Sequence, residues 1–301
     1  MFAMAITATY FTDPGCPWAY SANPALAVLR WRYGAQLDWR IVTIGLAEDP
    51  ARYVARGYTP VMMARGYLGF RRFGMPFATQ PRPRVVATAL ACRAIVATRL
   101  ADPQREWAVL RALQFAWFTT PALLDELDVL GGVLEGVGGL DAAAIVAALH
   151  DPAVTEAYQA DRALARTAAG SPTEMQGKAA TTDGPVRYTA PSVLFASGER
   201  TLEAGGFQPV EAYDVVIANL DPVLERRPAA DDPLEALEAL GFAATTAEIA
   251  AVMTADNDAP DPCSTEEALV ALVGEGAVVR TGLGDGALWA QATAVALPAA
   301  A

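Results

Sequence analysis

Residues 6–11 mix β-branched and aromatic side chains and stop at Asp13-Pro14-Gly15, a turn signal, so the pattern predicts a first strand. A helix fits residues 17–33. Pro17 stands at its first position, where a missing N–H costs little, Pro24 kinks it and Gly34 ends it. Residues 37–46 read as a second strand. A helical connection of this length makes the two strands parallel and right-handed, a βαβ unit. Residues 50–84 are rich in Gly, Pro, Arg and aromatics, which predicts loop with short helices near a surface.

From about residue 85 to 168 apolar positions recur at helical spacing, with breaks at Asp102-Pro103, Pro121, Gly138-Gly139 and Asp151-Pro152, and about five helices fit. Residues 190–195 form the next strand, Ser197-Gly198 a hairpin turn and residues 200–203 its partner. After Gly205-Gly206 a last helix spans about 209–220. A βαβ unit and a ββα unit thus flank a helical block, the order of an α/β thioredoxin fold with an all-helical insertion at about 50–185. Residues 222–232 look like a linker between this 1–221 domain and a second one at 233–301. There, helices fit 233–240, 245–254 and 264–274, followed by a strand at 277–280, a turn at 282–286 and a strand ending near Trp289. Three helices and a two-stranded wing predict a winged-helix-like domain.

Charge separates the two parts. From Pro222 onward 13 acidic residues face three arginines, so −10 of the net −12 lies there. Residues 50–101 hold nine arginines and no acid. A segment so acidic repels phosphate, and the third helix opens with Ser264-Thr265-Glu266-Glu267, a capping-box pattern, so no nucleic-acid partner is expected. The acidic domain is expected to dock electrostatically, on the basic 50–101 surface or in a homodimer.

No stretch reaches the roughly 18–20 apolar residues that span a bilayer, and residues 1–10 lack a basic n-region and a cleavage site. The expectation is a cytoplasmic protein with no membrane partner. Cys16, Cys92 and Cys263 are far apart and form no C-x-x-C pair, which suggests neither a disulfide framework nor a metal site. His150, the only histidine, reads as a surface residue at a helix end. Cys92 falls in an apolar helical pattern and reads as buried and inert. Cys263, in a Pro-rich loop, reads as exposed and incidental.

Cys16 is the candidate nucleophile. A thiol between a strand and the first turn of a helix faces unpaired N–H groups and the positive end of the helix dipole, which lowers its pKa. Pro14-Gly15 would let the backbone expose the sulfur, and Trp18 would flank it. Thr12, Asp13 and Ser21 are candidates to tune it.

Thr12-Asp13-Pro14-Gly15-Cys16-Pro17-Trp18-Ala19 resembles the active-site loop of the DsbA-like family, whose members include disulfide oxidoreductases, hydroxychromene-carboxylate isomerases and kappa-class glutathione transferases. The similarity runs on through Thr189-Ala190-Pro191-Ser192, like the family's cis-proline loop, and Glu203-Ala204-Gly205-Gly206-Phe207-Gln208-Pro209. The resemblance implies a cis Pro191 and an Ala190 backbone that faces Cys16 and pairs with a peptide or peptide-like thiol. One departure stands out: Ala19 occupies the place of the second redox cysteine. Three functions remain open. Cys16 acts as a monothiol on a small thiol or disulfide substrate; or, as in the isomerase and transferase branch, the site uses a low-molecular-weight thiol as co-substrate on a small electrophile, with no cofactor tightly bound; or the fold is a degenerate enzyme that only binds. Arg71 and Arg72 are candidate ligands for the carboxylates such thiols carry. Tyr67, Phe70, Phe73, Phe77, Trp107 and Trp117 line a cleft or, more simply, pack the core.

Overall fold

The computed structural model of the protein describes residues 5–182, 184–255 and 258–292, so residues 1–4 of the N-terminal leader reading and 293–301 of the second domain lie outside the described residues. The chain opens with β1 (Ile6–Thr12), α1 (Pro17–Ser21), α2 (Asn23–Tyr33) and β2 (Leu37–Thr43). The predicted kinked helix is two helices, because Asn23-Pro24 starts a new one: Pro24 lacks an N–H and its ring crowds the preceding turn. Gly34, at φ +50°, ends α2 as predicted. β2 stops three residues early because Gly45, at φ +62°, turns the chain; any Cβ there would lie 2.4 Å from the Tyr158 hydroxyl.

The insertion holds α3 (Ala51–Ala55), α4 (Pro60–Phe70), α5 (Ala89–Ala101), α6 (Glu106–Thr119), α7 (Leu127–Glu135), α8 (Ala142–Ala148), α9 (Pro152–Ala165) and α10 (Pro172–Met175). A two-residue ladder follows, β3 (Ala179–Ala180) with β4 (Arg187–Tyr188), then β5 (Ser192–Ser197), β6 (Arg200–Ala204) and α11 (Val210–Leu220). The β5–β6 turn is Gly198-Glu199, since Ser197 itself pairs with Arg200. The main sheet runs β2-β1-β5-β6, with β1 parallel to β2 and antiparallel to β5. Phe11, opposite Ser192, and then Thr12 bring the chain to the end of β1, and the loop after it meets the loop before β5.

The C-terminal unit holds α12 (Pro233–Leu240), β7 (Ala244–Thr245), α13 (Thr246–Val252), α14 (Pro262–Gly274), β8 (Val278–Leu283) and β9 (Gly286–Gln291), with its sheet ordered β7-β9-β8. The capping box sits on Thr245 and Glu248 at α13, not on Ser264. α14 instead starts at Pro262, capped by Asp261, which puts Cys263 in a helix rather than a loop. Cys263 is exposed and Cys92 buried, as expected.

The expected electrostatic docking on the basic 50–101 surface is corrected. Of the nine arginines at 50–101, only Arg71 forms an ion pair with this unit among the described residues, on Asp285. Arg84 pairs with Asp125 and Glu126, Arg99 with Glu106 and Asp161, and Arg52 and Arg56 donate to the Thr182 carbonyl. The docking face is mainly apolar: Ala27, Val28 and Trp31 of α2 share a core with Leu237, Ile249, Val252, Leu269 and Trp289. Beside it Arg111 of α6 forms a buried ion pair with Glu248. The stretch at 222–232 lies on α2 as well, where Trp31 Nε1 donates to the Pro228 carbonyl at 2.6 Å and the Arg227 guanidinium sits 3.5 Å above the Trp31 ring.

Candidate active site

Cys16 is the N-cap of α1, in extended conformation, with Pro17 next. The turn before it is closed by its own N–H on the Asp13 carbonyl at 3.0 Å and by the Gly15 N–H on Asp13 Oδ1 at 2.9 Å. Across the strand ends, the Ala190–Pro191 peptide bond is cis. The Cys16 thiol donates to the Ala190 carbonyl at 3.0 Å. The two segments that the sequence singled out, 174 residues apart, thus meet at the sulfur.

The expected low thiol pKa is corrected here. Cys16 is 6% exposed, so the turn does not present the sulfur to solvent. Burial pushes the thiol up from an ordinary 9.0 to about 12, because a thiolate would lose its hydration. The helix N-terminus acts in the predicted sense, through the N–H groups of Ala19 and Trp18, but is outweighed; Asp13 raises the value further and Arg187 lowers it.

Asp13 is fully buried and accepts four hydrogen bonds, from the N–H groups of Gly15 and Leu46, the Thr88 hydroxyl at 3.0 Å and the Cys92 thiol at 3.5 Å. Burial raises its pKa, and these donors oppose the rise. One carboxyl thereby ties the cysteine loop, the β2–α3 connection and the start of α5. Gly15 is required by close approach: a Cβ there would fall 2.6 Å from Thr88 Cγ2 and 2.9 Å from the Trp117 ring.

A cavity of about 320 Å³ opens beside the loop, against Gly15 and Pro17. Its walls include Leu46, Tyr53 and Tyr58, Met62, Met63, Tyr67 and Phe70 of α4, and Val86, Thr88 and Trp117. Among the described residues no arginine lines it. Arg71 is engaged by Asp285, the Arg72 guanidinium lies 4.7 Å from the Phe73 ring, and neither is among the residues that line this cavity. Of the predicted aromatics Tyr67, Phe70 and Trp117 reach the cavity, Phe77 is core, and Trp107 packs on Arg30 and Trp39. Trp18 stays 40% exposed and packs on Phe70, Phe73 and Phe207. Ala19 is buried beneath the loop.

Tyr53, Tyr58, Met62, Met63 and Thr88 were not anticipated, for they come from three segments with no shared period. Among the described residues, no cluster of His, Cys, Asp or Glu could hold a metal ion, and no helix is long and apolar enough to cross a membrane. His150 is exposed just past α8.

A cysteine at a strand-to-helix junction, facing a cis-proline loop at the end of a mixed four-stranded sheet, defines a thiol site of the thioredoxin class. Residues 7–184 match the DSBA-like thioredoxin domain, and the chain belongs to that family. Similar solved structures include the cytosolic disulfide reductase DsbM of Pseudomonas aeruginosa, 21% identical over 72% of this chain and 100% of that one, with TM-score 0.52. A Nitrosomonas europaea protein assigned as a protein disulfide isomerase is 18% identical over 71% of this chain and 97% of its own, with TM-score 0.55. A Streptomyces coelicolor protein assigned as a DsbA oxidoreductase is 18% identical over 75% and 93%, with TM-score 0.52. At these identities the likeness is one of fold. No curated protein matches the sequence.

Proposed function

We propose that this DsbA-like protein is a cytoplasmic thiol–disulfide oxidoreductase that works through Cys16 alone. The observation that carries the reading is the 3.0 Å contact of Cys16 Sγ with the Ala190 carbonyl before cis-Pro191, with Ala19 where a second thiol would stand. The Cys16 thiol first loses its proton to solvent as substrate displaces the Ala190 contact. The thiolate then attacks one sulfur of a substrate disulfide; the new S–S bond joins Cys16 to that sulfur, and the other leaves as thiolate. An external thiolate attacks the mixed disulfide, releases Cys16 and carries the first substrate sulfur away. The free state of all three cysteines suits a reducing compartment.

The test uses Cys263→Ser, which removes the exposed thiol. After incubation with glutathione disulfide or a small aromatic disulfide, intact mass should show one adduct that an added thiol removes and that Cys16→Ser abolishes. No adduct at any pH up to about 9, the ordinary thiol range, would leave the fold as a binding scaffold.

The apolar cavity favours a second reading, in which the site binds a low-molecular-weight thiol and applies it to a small apolar electrophile. The two separate cleanly: turnover of such an electrophile that survives Cys16→Ser but needs added thiol supports the second and sinks the first.

A further inference from the structure

We propose that Asp285, in the β8–β9 turn of the C-terminal unit, is a positioning residue for the apolar cavity beside Cys16; this rests on reading that cavity as the substrate site. One carboxylate grips two segments that back the cavity wall. Its Oδ1 accepts the Phe77 N–H at 2.7 Å, and its Oδ2 meets Arg71 Nε at 2.6 Å. Arg71 directly follows Phe70, the last residue of α4, so the pair pins that end of the helix. Phe77 is fully buried behind the cavity, with its ring 5.4 Å from Tyr67 and 6.2 Å from Phe70, both of them lining residues. Phe70 in turn packs at 4.9 Å against Trp18, two residues from the nucleophile.

The turn is fitted to this place. Gly284, at φ +57°, has so little room that a Cβ would lie 3.1 Å from Thr119 Cβ and 3.2 Å from the Phe77 carbonyl carbon, and one on Gly286 would lie 3.0 Å from Pro76. The helix it holds needs the support. α4 carries Gly66 and Gly69, and a glycine weakens a helix relative to Ala. Val61 and Leu68, which do not line the cavity, are exposed. Its N-terminus is fixed by the Thr59 cap, and Asp285 supplies the opposing anchor. A half-exposed ion pair alone contributes little; the charge-assisted bond to the Phe77 amide is what gives Asp285 its hold.

The experiment uses the full chain with Cys263→Ser and compares N-phenylmaleimide, an uncharged aromatic reagent, with iodoacetamide at Cys16. In Asp285→Ala the half-saturating N-phenylmaleimide concentration should rise about tenfold, the loss of one charge-assisted hydrogen bond. Its limiting rate and the iodoacetamide rate should stay as in the parent. Asp285→Asn, which still accepts from Phe77, should lose about threefold, and Arg71→Met about as little. Amide hydrogen exchange across residues 60–77 should quicken in the same order while β1 holds. Unchanged half-saturation and unchanged exchange, or an equal loss with both reagents, would overturn the proposal. If the parent Cys16 takes neither reagent, the reading of the site fails, and exchange over residues 60–77 alone decides whether Asp285 is the clamp.

Discussion

At Cys16 the helix N-terminus and the surrounding apolar cover act on the same proton in opposite senses, and burial prevails. With the folded thiol at about 12, above its ordinary 9.0, the protonated and unreactive form holds through the neutral range. The alkylation rate of Cys16 in the Cys263→Ser protein should therefore climb about tenfold per pH unit from about pH 6 to 9 with no plateau. A plateau below about pH 7 would mean that the thiolate already exists in the resting protein. The place of this cysteine was legible, because Asp13-Pro14-Gly15 and Pro17 bracket it as a turn and a helix start. Its burial was not: the Ala190 contact follows from the resemblance, but the core that Cys16 joins also holds Ala165, Ala168 and Tyr188, from segments that nothing in the sequence tied to it. The same holds for Asp13, whose donors Leu46, Thr88 and Cys92 come from two other segments.

Among the elements, α4 carries two glycines, Gly66 and Gly69, and lines the cavity. Nothing lies within 4 Å of a Cβ placed on Gly69, so Gly69→Ala should stabilise the protein by about 0.5–1 kcal/mol, read as a higher midpoint in urea at constant slope. A destabilised variant would mean that Gly69 is needed for something other than helix. The four strands of the main sheet and the five helices of 85–168 could be read directly, since each is long enough to show its period. The two-residue strands β3, β4 and β7 could not, because a period of two needs more residues than they contain. Pro24 was visible as a breaker, but whether it bends or divides a helix depends on the turn before it. The cavity was beyond reach for a different reason: its walls come from α3, α4, residues 85–88 and Trp117, and only tertiary folding brings these together.

In the molecule as a whole, the charge pattern pointed to a surface ionic contact between the two parts, whereas the join is made by Trp31, Leu237 and their neighbours. Charge enters there as the buried pair of Arg111 and Glu248, with side chains 5% and 0% exposed, and the half-exposed pair of Arg71 and Asp285. Arg111→Met would strand Glu248 without its cation, and removing one partner of such a pair costs about 3–5 kcal/mol. Thermal unfolding should show that loss; a variant as stable as the parent would mean that water reaches Glu248. Acidic composition was readable, but which few of 13 acids face inward depends on packing. Helix α2 carries the further consequence. Leu26, Leu29 and Tyr33 on one side belong to the core of the thioredoxin-type unit, and Ala27, Val28 and Trp31 on the other belong to the core of the C-terminal unit. Neither core can melt and leave the other whole, so a chain that reads as two domains meets heat as a single cooperative body.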